Sequence, residues 1–314
     1  MKNIVAIDTG FSFTKVYTRD ENGAEQTFSF PSIIQAPGVS AAGLDTPTSA
    51  YFYHNAYYTV GKNDRTKTNL LERDIDSLIK FAPLLVAHAL KQVTVEPDVL
   101  VVGLPFHYFN RYKDQLRANI ASFWLNGENH QYPNVVLQGQ ALGALADHFA
   151  TVNPAADESG YILDVGFNTI LALRYEHRQA QGEGSTPHDR KGVSVLVADI
   201  CTAIQARFGV EINEHDGINV LLTKKLKLGK EHDVSDIISS SVNKYLASTV
   251  KTFRDKHRDY LTFCQRIVLV GGGAYVLKNN MPKEFADILH IPDNPEFSNA
   301  RGYWKMEAAR HGLI

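Results

Sequence analysis

The chain opens with apolar runs separated by turn-forming residues, a pattern that predicts strands before any helix. Residues 4–7 form a continuous apolar run, which is typical of a buried strand. Residues 13–18 and 27–30 predict two further strands, and Asn22-Gly23 between them predicts a tight hairpin turn. We therefore expect the N-terminal segment to begin a sheet with a hairpin.

The rest of the chain alternates apolar segments of strand length and helix length. The predicted elements are, in order, a loop at 35–49, strands at 51–53 and 57–60 around a turn at His54-Asn55, a helix at 75–93, a strand at 99–104, a helix at 111–123, a strand at 135–137, a helix at 141–150, a strand at 161–163, a helix that has Asp233 as its N-cap and runs to about 253, and a strand at 267–270. The helix after Asp233 carries an apolar stripe at 238, 242, 246, 250 and 253, which we expect to pack in a core. Strands that alternate with helices in both halves predict an α/β fold with mixed sheets.

A five-residue segment occurs twice, each time directly after an apolar strand. Asp8-Thr9-Gly10-Phe11-Ser12 recurs as Asp164-Val165-Gly166-Phe167-Asn168, about half the chain later. The stretch 153–160 between the two halves is polar and rich in turn formers, which is typical of a domain boundary. Together these features predict a duplicated domain with a site between the copies.

Composition narrows the classes of function. A chain of 314 residues is long enough for two domains, and its net charge of −2 argues against a nucleic-acid-binding surface over the whole chain, although a local basic patch stays open. Cys201 and Cys264 are the only cysteines and form no Cys-x-x-Cys pair, so we expect no disulfide framework and a cytoplasmic location. The most apolar helical stretch, 81–90, is too short to span a membrane.

The repeated Asp-x-Gly segment suits phosphate and magnesium chemistry. Glycine lets the backbone turn tightly, so that successive N–H groups point at phosphate oxygens. Asp8 and Asp164 could hold Mg²⁺ through its water ligands, because this ion keeps much of its hydration shell. Lys15 could place its ammonium against the β- and γ-phosphates, or it could be an ordinary solvated strand lysine.

Two further segments are candidates for the same chemistry. Gly271-Gly272-Gly273 joins a predicted strand to a predicted helix, where a nucleotide can approach the backbone, although a tight turn alone explains the glycines equally well. The segment lacks the Gly-x-Gly-x-x-Gly spacing and the Walker lysine. Gln138 and Gln140 follow a predicted strand and could orient a water for attack on a γ-phosphate, or they could simply begin the next helix.

These motifs together resemble the actin, sugar kinase and heat-shock chaperone ATPase superfamily, and within it the ParM/StbA-like plasmid-segregation actins. The resemblance covers essentially the whole chain. Residues 8–15 match the first phosphate motif, Asp-x-Gly-x-x-x-x-Lys, and residues 164–169 match the second one imperfectly. Residues 268–274 match the adenosine motif, and residues 297–303 look like the segment that returns to the first domain.

The resemblance implies an actin-like (ribonuclease H-like) duplicated two-domain fold with a nucleotide cleft between the domains. Domain I would comprise 1–159 with 300–314 returning to it, and domain II would comprise 160–299. ATP and Mg²⁺ are the implied cofactors, and the implied nucleotide-binding residues are Gly10, Phe11, Ser12, Thr14, Lys15, Gly166, Phe167, Asn168, Thr169, Gly192, Gly271, Gly272 and Gly273. Asp8 and Asp164 would act at the metal, and Gln140 would position the attacking water, with Gln138 as the alternative.

Three residues depart from the family pattern. Phe11 and Phe167 are bulky where small residues are usual, and Ala172 stands where many relatives have a second aspartate. The implied function is an ATPase that polymerises into filaments and segregates plasmid DNA indirectly, through a DNA-binding adaptor, with no membrane partner. A small-molecule kinase of the same fold is the main alternative, although the catalytic aspartate motif and zinc loop of sugar kinases are missing from the sequence. An ATP-gated binding module and a nucleotide-free cytoskeletal protein are further alternatives.

Overall fold

The computed structural model describes residues 2–37, 50–64, 67–278 and 281–314, and it divides into two compact units. Unit 1 comprises Met1–Asn153 and Glu296–Ile314, and unit 2 comprises Pro154–Pro295. The expected boundary after residue 159 lies a few residues further along the chain than this division. The first strand of unit 2 begins at Ser159, so the expected boundary would separate Ser159 from the rest of that strand. The backbone N–H of Ser159 donates to Gln265 Oε1 at 2.8 Å, within unit 2.

Unit 1 is built around a five-stranded mixed sheet. Its described strands are β1 (Ile4–Thr9), β2 (Phe13–Arg19), β3 (Glu25–Pro31), β4 (Ile34–Gln35), β5 (Tyr51–Tyr53), β6 (Ala56–Val60), β7 (Val99–Leu104), β8 (Ser122–Leu125), β9 (Glu128–Gln131) and β10 (Val135–Gly139). Its helices are α1 (Ile75–Leu90), α2 (Phe109–Ala121), α3 (Leu142–Val152) and the last helix of the chain, α8 (Ser298–Arg310). The main sheet has the order β10-β7-β1-β2-β3, in which β1, β7 and β10 are parallel.

Strand β1 is buried on both faces, as its unbroken apolar run predicts. Val5 and Ile7 join a core that includes residues of α1 and α2. Ile4 and Ala6 point to the other face, where they form a second cluster with Tyr303 of α8. The C-terminal helix therefore completes the core of unit 1, although the sheet it covers lies almost three hundred residues earlier in the chain.

Unit 2 repeats this plan. Its elements are β11 (Ser159–Val165), β12 (Thr169–Glu176), β13 (Gln179–Asp189), α4 (Val193–Phe208), α5 (Glu214–Thr223), β14 (Lys225–Leu228), β15 (Lys230–Asp233), α6 (Ser235–Leu261), β16 (Arg266–Val270), α7 (Ala274–Leu277) and β17 (Leu289–His290). The main sheet has the order β13-β12-β11-β16-β17. Strand β11 pairs antiparallel with β12 and parallel with β16, as β1 pairs antiparallel with β2 and parallel with β7. The predicted α/β fold with mixed sheets is confirmed, and the repeat of Asp8–Ser12 lies at equivalent points of the two sheets.

Most predicted elements are confirmed, but several bounds were wrong. The helix predicted at 111–123 ends at Ala121, because residues 122–125 form β8 and turn through Asn126-Gly127 into β9. The strand predicted at 135–137 continues to Gly139. The helix predicted at 75–93 ends at Leu90.

The start of the loop predicted at 35–49 and the ends of the helix predicted after Asp233 also differ from the structure. Gln35 belongs to β4 rather than to the predicted loop, of which residues 38–49 lie outside the described residues. Helix α6 begins at Ser235 with Val234 as its N-cap, so the prediction of Asp233 as the N-cap was wrong by one residue, and the helix continues past 253 to Leu261. The Asp233 carboxylate still accepts a 2.8 Å hydrogen bond from the Ser235 N–H. The predicted apolar stripe of α6 does pack in the core of unit 2.

The two cysteines and the apolar helices can be described directly in the structure. Cys201 and Cys264 are both free thiols. Within the described ranges, we find no helix with the length and apolar character needed to cross a bilayer.

Candidate functional site

The turn between β1 and β2, which we call the first hairpin (residues 8–15), requires glycine at its third residue, Gly10. The Gly10 N–H donates to the Phe13 carbonyl at 3.2 Å and closes the turn. A Cβ atom on Gly10 would lie 2.8 Å from Phe13 O and 3.0 Å from Lys15 Nζ. The Phe13 carbonyl is backbone and cannot move aside, so glycine is required here. The Lys15 ammonium lies close to the same turn, where it would neutralise a bound anion.

Asp8 and Lys15 form an ion pair at the end of β1. Asp8 is 2% exposed, and its Oδ2 lies 3.3 Å from Lys15 Nζ. The other carboxylate oxygen, Oδ1, accepts a 2.9 Å hydrogen bond from Gln140 Nε2. These three residues come together because β1 and β10 run parallel on either side of β7, so that their carboxyl ends meet at one edge of the sheet.

Of the two candidate glutamines, only Gln140 lies beside Asp8. Gln138 is buried within β10, where it is the ladder partner of Gly103. Gln140 follows the strand, and its N–H donates to the Leu104 carbonyl at 2.9 Å. The strand extension that the sequence prediction missed therefore separates the two candidates.

The remaining predicted residues of the first hairpin differ in their surroundings. Thr14 is fully buried and its hydroxyl lies 2.9 Å from Ser32 Oγ, so its side chain stabilises the hairpin from within. Phe11 packs against the core of unit 1, which directs its bulky ring away from the turn. Within the described part of the chain, the backbone amides of Phe11 and Ser12 have no hydrogen-bond acceptor, and they are the donors that the turn offers to an anion.

Helix α8 holds the start of α3, and with it Gln140. The Asn299 side-chain oxygen accepts from the backbone N–H of Ala141 at 2.8 Å and of Ala144 at 3.3 Å. Ala141 itself has a left-handed backbone, with φ at 64°. This side-chain cap replaces the missing partners of the helix N-terminus. The sequence offered no local signal for it, because Asn299 lies in another part of the chain.

The contact between α3 and α8 is also fixed by close packing and by charge. Gly302 lies so near to Gly143 that a Cβ atom on Gly302 would overlap the Gly143 carbonyl. One turn further along α3, the carboxylate of Asp147 is 1% exposed and accepts hydrogen bonds at 2.7 and 2.8 Å from the Arg301 guanidinium. Lys305 Nζ lies 2.8 Å from the same carboxylate. The predicted return segment thus supplies a buried ion cluster that we did not anticipate.

The turn between β11 and β12, which we call the second hairpin (residues 164–169), repeats the first in unit 2. The Gly166 N–H donates to the Thr169 carbonyl at 2.9 Å. The start of α4 packs onto this turn, since Gly192 N donates to Asn168 O and Ser194 N donates to Phe167 O. A Cβ atom on Gly192 would lie 2.6 Å from Gly166 O, so glycine is required for this approach.

The two residues of unit 2 that depart from the family pattern are both accommodated. The Phe167 ring packs against the core of unit 2, as Phe11 does in unit 1. Ala172 is fully buried in β12 as the ladder partner of Thr186. Among the described residues, the backbone N–H of Asn168 has no acceptor, which leaves a donor at this turn as well.

The glycine turn (residues 271–273) lies beside the second hairpin, because β11 and β16 are parallel neighbours. Gly271 has φ at 81°, and a Cβ atom there would lie 2.5 Å from Asp164 Oδ1. Gly273 donates its N–H to the Val165 carbonyl at 2.8 Å. Gly272 has open space around its Cα, and Tyr275, two residues beyond the turn, is 54% exposed. The sequence analysis did not single out Tyr275, whose exposed ring lies close to this glycine turn.

The carboxylates limit how a metal could be held. Within the described residues, no group of three or more histidine, cysteine, aspartate or glutamate side chains is placed to hold a metal ion. Each hairpin instead supplies one aspartate at a strand end, next to a glycine turn. One or two carboxylates suit Mg²⁺, which keeps several water ligands and binds substrate phosphates, so the residues present fit this ion.

Two family models match the chain, one over each half. The model described as actin like proteins N terminal domain matches residues 6–133, and the model described as archaeal actin homologue MreB-like, C-terminal, matches residues 162–283. A comparison with curated proteins found no significant match.

Solved structures with the same fold match over nearly the whole length. A 15-stranded ParM filament from Clostridium botulinum is 19% identical with a TM-score of 0.75, covering 98% of this chain and 99% of that one. The archaeal actin homologue Ta0583 in complex with ADP is 17% identical with a TM-score of 0.76, covering 98% of this chain and 99% of that one. Bacillus thuringiensis ParM with ATP is 16% identical with a TM-score of 0.65, covering 100% of both chains. At these identities the likeness shows a shared fold.

Proposed function

Since the chain belongs to the actin-like proteins, we propose that it is an ATPase that binds Mg-ATP with residues of both units and polymerises into filaments. The observation that carries the proposal is the duplicated hairpin. In each unit an Asp-x-Gly turn closes the central strand of the sheet, with an aspartate at the strand end and an amide donor in the turn. ADP and ATP in two of the structural neighbours support a nucleotide as the ligand.

Each predicted residue has a specific role in this proposal. The amides of Phe11, Ser12 and Asn168 donate to phosphate oxygens, and Lys15 neutralises charge on the β- and γ-phosphates. Gly166, Phe167 and Thr169 form the second hairpin, and Gly192 packs against it and donates its N–H to the Asn168 carbonyl. Gly271, Gly272 and Gly273 let the adenosine approach the backbone. Tyr275 then stacks against the base.

Asp8 and Asp164 would hold Mg²⁺ through its water ligands, and the bound ion would supply charge neutralisation for the transferred phosphate. Gln140 would orient the attacking water, because its amide already lies 2.9 Å from Asp8 at the edge of the sheet. We favour Gln140 over Gln138 for this role, because Gln140 is hydrogen-bonded to Asp8 whereas Gln138 lies within β10. Thr14 would support the nucleotide site indirectly, because its hydroxyl is hydrogen-bonded to Ser32 and stabilises the hairpin.

We further propose that the filaments move plasmid DNA through a DNA-binding adaptor, so that the DNA is an indirect partner. The printed description of one neighbour as a ParM filament supports self-assembly. ATP would favour the polymer and hydrolysis would weaken it. The net charge of −2 is consistent with an adaptor, because a chain without basic excess has no general affinity for DNA.

Polymer formation and hydrolysis can be tested separately with one set of proteins. The purified chain should scatter light and form filaments in electron micrographs with Mg-ATP, and should show neither without nucleotide. Gln140→Ala should still polymerise, while phosphate release falls by about tenfold or more and the filaments persist longer. Gln131→Ala, a change at an exposed glutamine of β9, serves as the matched control.

The outcomes distinguish the alternatives. ATP binding with no polymer at any protein concentration would contradict the filament proposal and favour a binding module. Phosphate transfer to a panel of sugars would favour a kinase. Unchanged phosphate release in Gln140→Ala would remove the glutamine from the mechanism.

A further inference from the structure

Unit 2 contains a cavity between α4, α6 and the main sheet that includes none of the proposed nucleotide-binding residues. Its volume is about 140 Å³. The inner wall is apolar, with Leu163, Ile170, Leu196 and Phe253 from the sheet and the two helices. An engineered apolar cavity of about 150 Å³ binds benzene, so this cavity has the volume of one aromatic ring.

One stripe of α6 that lines the cavity carries polar side chains, and three of its four residues are small. Ser241, Lys244, Ser248 and Thr252 recur at three- and four-residue spacing and all line the cavity. This stripe runs beside the apolar stripe at 238, 242 and 246, whose residues fill the core. Serine and threonine occupy positions where larger apolar residues would close the space against α4.

The charged groups at the cavity have an excess of one cation. Lys244 and Ser241 both donate to the carboxylate of Asp199, and the bond from Lys244 lowers the pKa of Asp199, so the negative charge of Asp199 is already compensated. Lys191 is exposed at the cavity and has no ion-pair partner among the described residues. An unpaired ammonium beside an apolar cavity of this size suits a ligand with one aromatic ring and one anionic group.

We propose that this cavity is a binding site for a small aromatic carboxylate, with the ring against the apolar wall and the carboxylate on Lys191. The cavity is lined by residues of unit 2 alone, and none of them belongs to the second hairpin or the glycine turn, although Leu163 and Ile170 directly flank the hairpin. The backbone carbonyl of Lys191 accepts a 3.0 Å hydrogen bond from the Tyr245 hydroxyl of α6, which fixes the loop that carries the lysine. The backbone from which the Lys191 side chain extends is therefore fixed beside the cavity.

Fluorine NMR with 4-fluorobenzoate and the neutral analogue fluorobenzene tests both parts of the proposal on the full chain. We expect 4-fluorobenzoate to bind with a dissociation constant of about 1 mM. Lys191→Gln should weaken its binding about fivefold or more, because one ion pair is lost, and should leave fluorobenzene binding unchanged. Lys230→Gln, at an exposed lysine of β15 without a partner among the described residues, should change neither.

A second variant tests the location. Ser248 is an exposed residue of the cavity rim, so Ser248→Phe should fill the opening without disturbing the core, and should abolish binding of both probes. Unfolding curves would verify that each variant is folded. The proposal is overturned if the native chain does not bind 4-fluorobenzoate, if Lys191→Gln and Lys230→Gln behave alike, or if folded Ser248→Phe binds as the native chain does.

Discussion

Replacement of Gly302 by alanine should destabilise unit 1 through a single methyl group. Gly302 of α8 faces Gly143 of α3, and a Cβ atom at 302 would overlap the carbonyl of Gly143 and lie 3.0 Å from its Cα. Real Cβ atoms essentially never lie within 3.0 Å of another heavy atom. The obstacle is backbone, which cannot rotate away as a flexible side chain could, so the two helices must separate.

The expected loss of unfolding free energy follows from the interactions between α3 and α8. Separation weakens the Asn299 cap on Ala141 and the contacts of Tyr303, which is fully buried. Overpacking of this kind costs about 1–3 kcal/mol, and the loss of a helix cap adds about 1 kcal/mol. We therefore expect Gly302→Ala to lower the free energy of unfolding by about 3 kcal/mol, as measured by urea denaturation.

The same change should also affect chemistry, because Gln140 precedes the capped helix. Phosphate release at saturating Mg-ATP should fall more than ATP affinity does. Gly182→Ala is the matched control, since a Cβ atom at Gly182 meets nothing within 4 Å, and its effect should stay below about 0.5 kcal/mol. If Gly302→Ala changes the free energy of unfolding by less than about 0.5 kcal/mol, as expected for the control, the close packing of α3 on α8 is refuted.

Two further predictions concern buried charge. Asp147→Asn should lower the free energy of unfolding by about 3–5 kcal/mol, because Arg301 and Lys305 lose their shared carboxylate. As a control, Asp114→Asn removes one partner of a surface ion pair and should lower it by less than about 0.5 kcal/mol. Equal effects of the two changes in urea denaturation would contradict the buried ion cluster. Burial lowers the pKa of His257 from 6.5, its value in the unfolded chain, to about 4 in the folded chain. Between pH 6.5 and pH 4, His257 is therefore protonated in the unfolded chain only. Stability should therefore fall by about 2 kcal/mol from pH 7 to pH 5, and His257→Gln should remove that part of the pH dependence; an unchanged slope in the variant would contradict it.

The glycine-containing turns at the ends of β1, β11 and β16 could be predicted from sequence because their signals are local. Asp8, Gly10 and Lys15 lie within one hairpin, and the glycine turn directly follows an apolar strand, so residue type and spacing sufficed. The equivalence of the two units was also accessible, since the repeat marks the same point of both sheets.

The features that prediction missed depend on contacts between distant segments. The extension of β10 to Gly139 was missed, because its pairing with β7 is a long-range contact and the polar Gln138 interrupts the apolar run. The Asn299 cap joins residues more than 150 positions apart. One miss was avoidable, since Asn126-Gly127 is a strong hairpin signal that should have ended the predicted helix before Phe123.

Isothermal titration calorimetry of Mg-ATP with the native chain, Asp8→Ala and Asp164→Ala tests the central claim most directly. If both hairpins serve one nucleotide, the native chain binds one ATP, and each variant alone weakens binding by about tenfold or more. Two independent sites, full affinity in either folded variant, or no binding to the native chain would contradict the account.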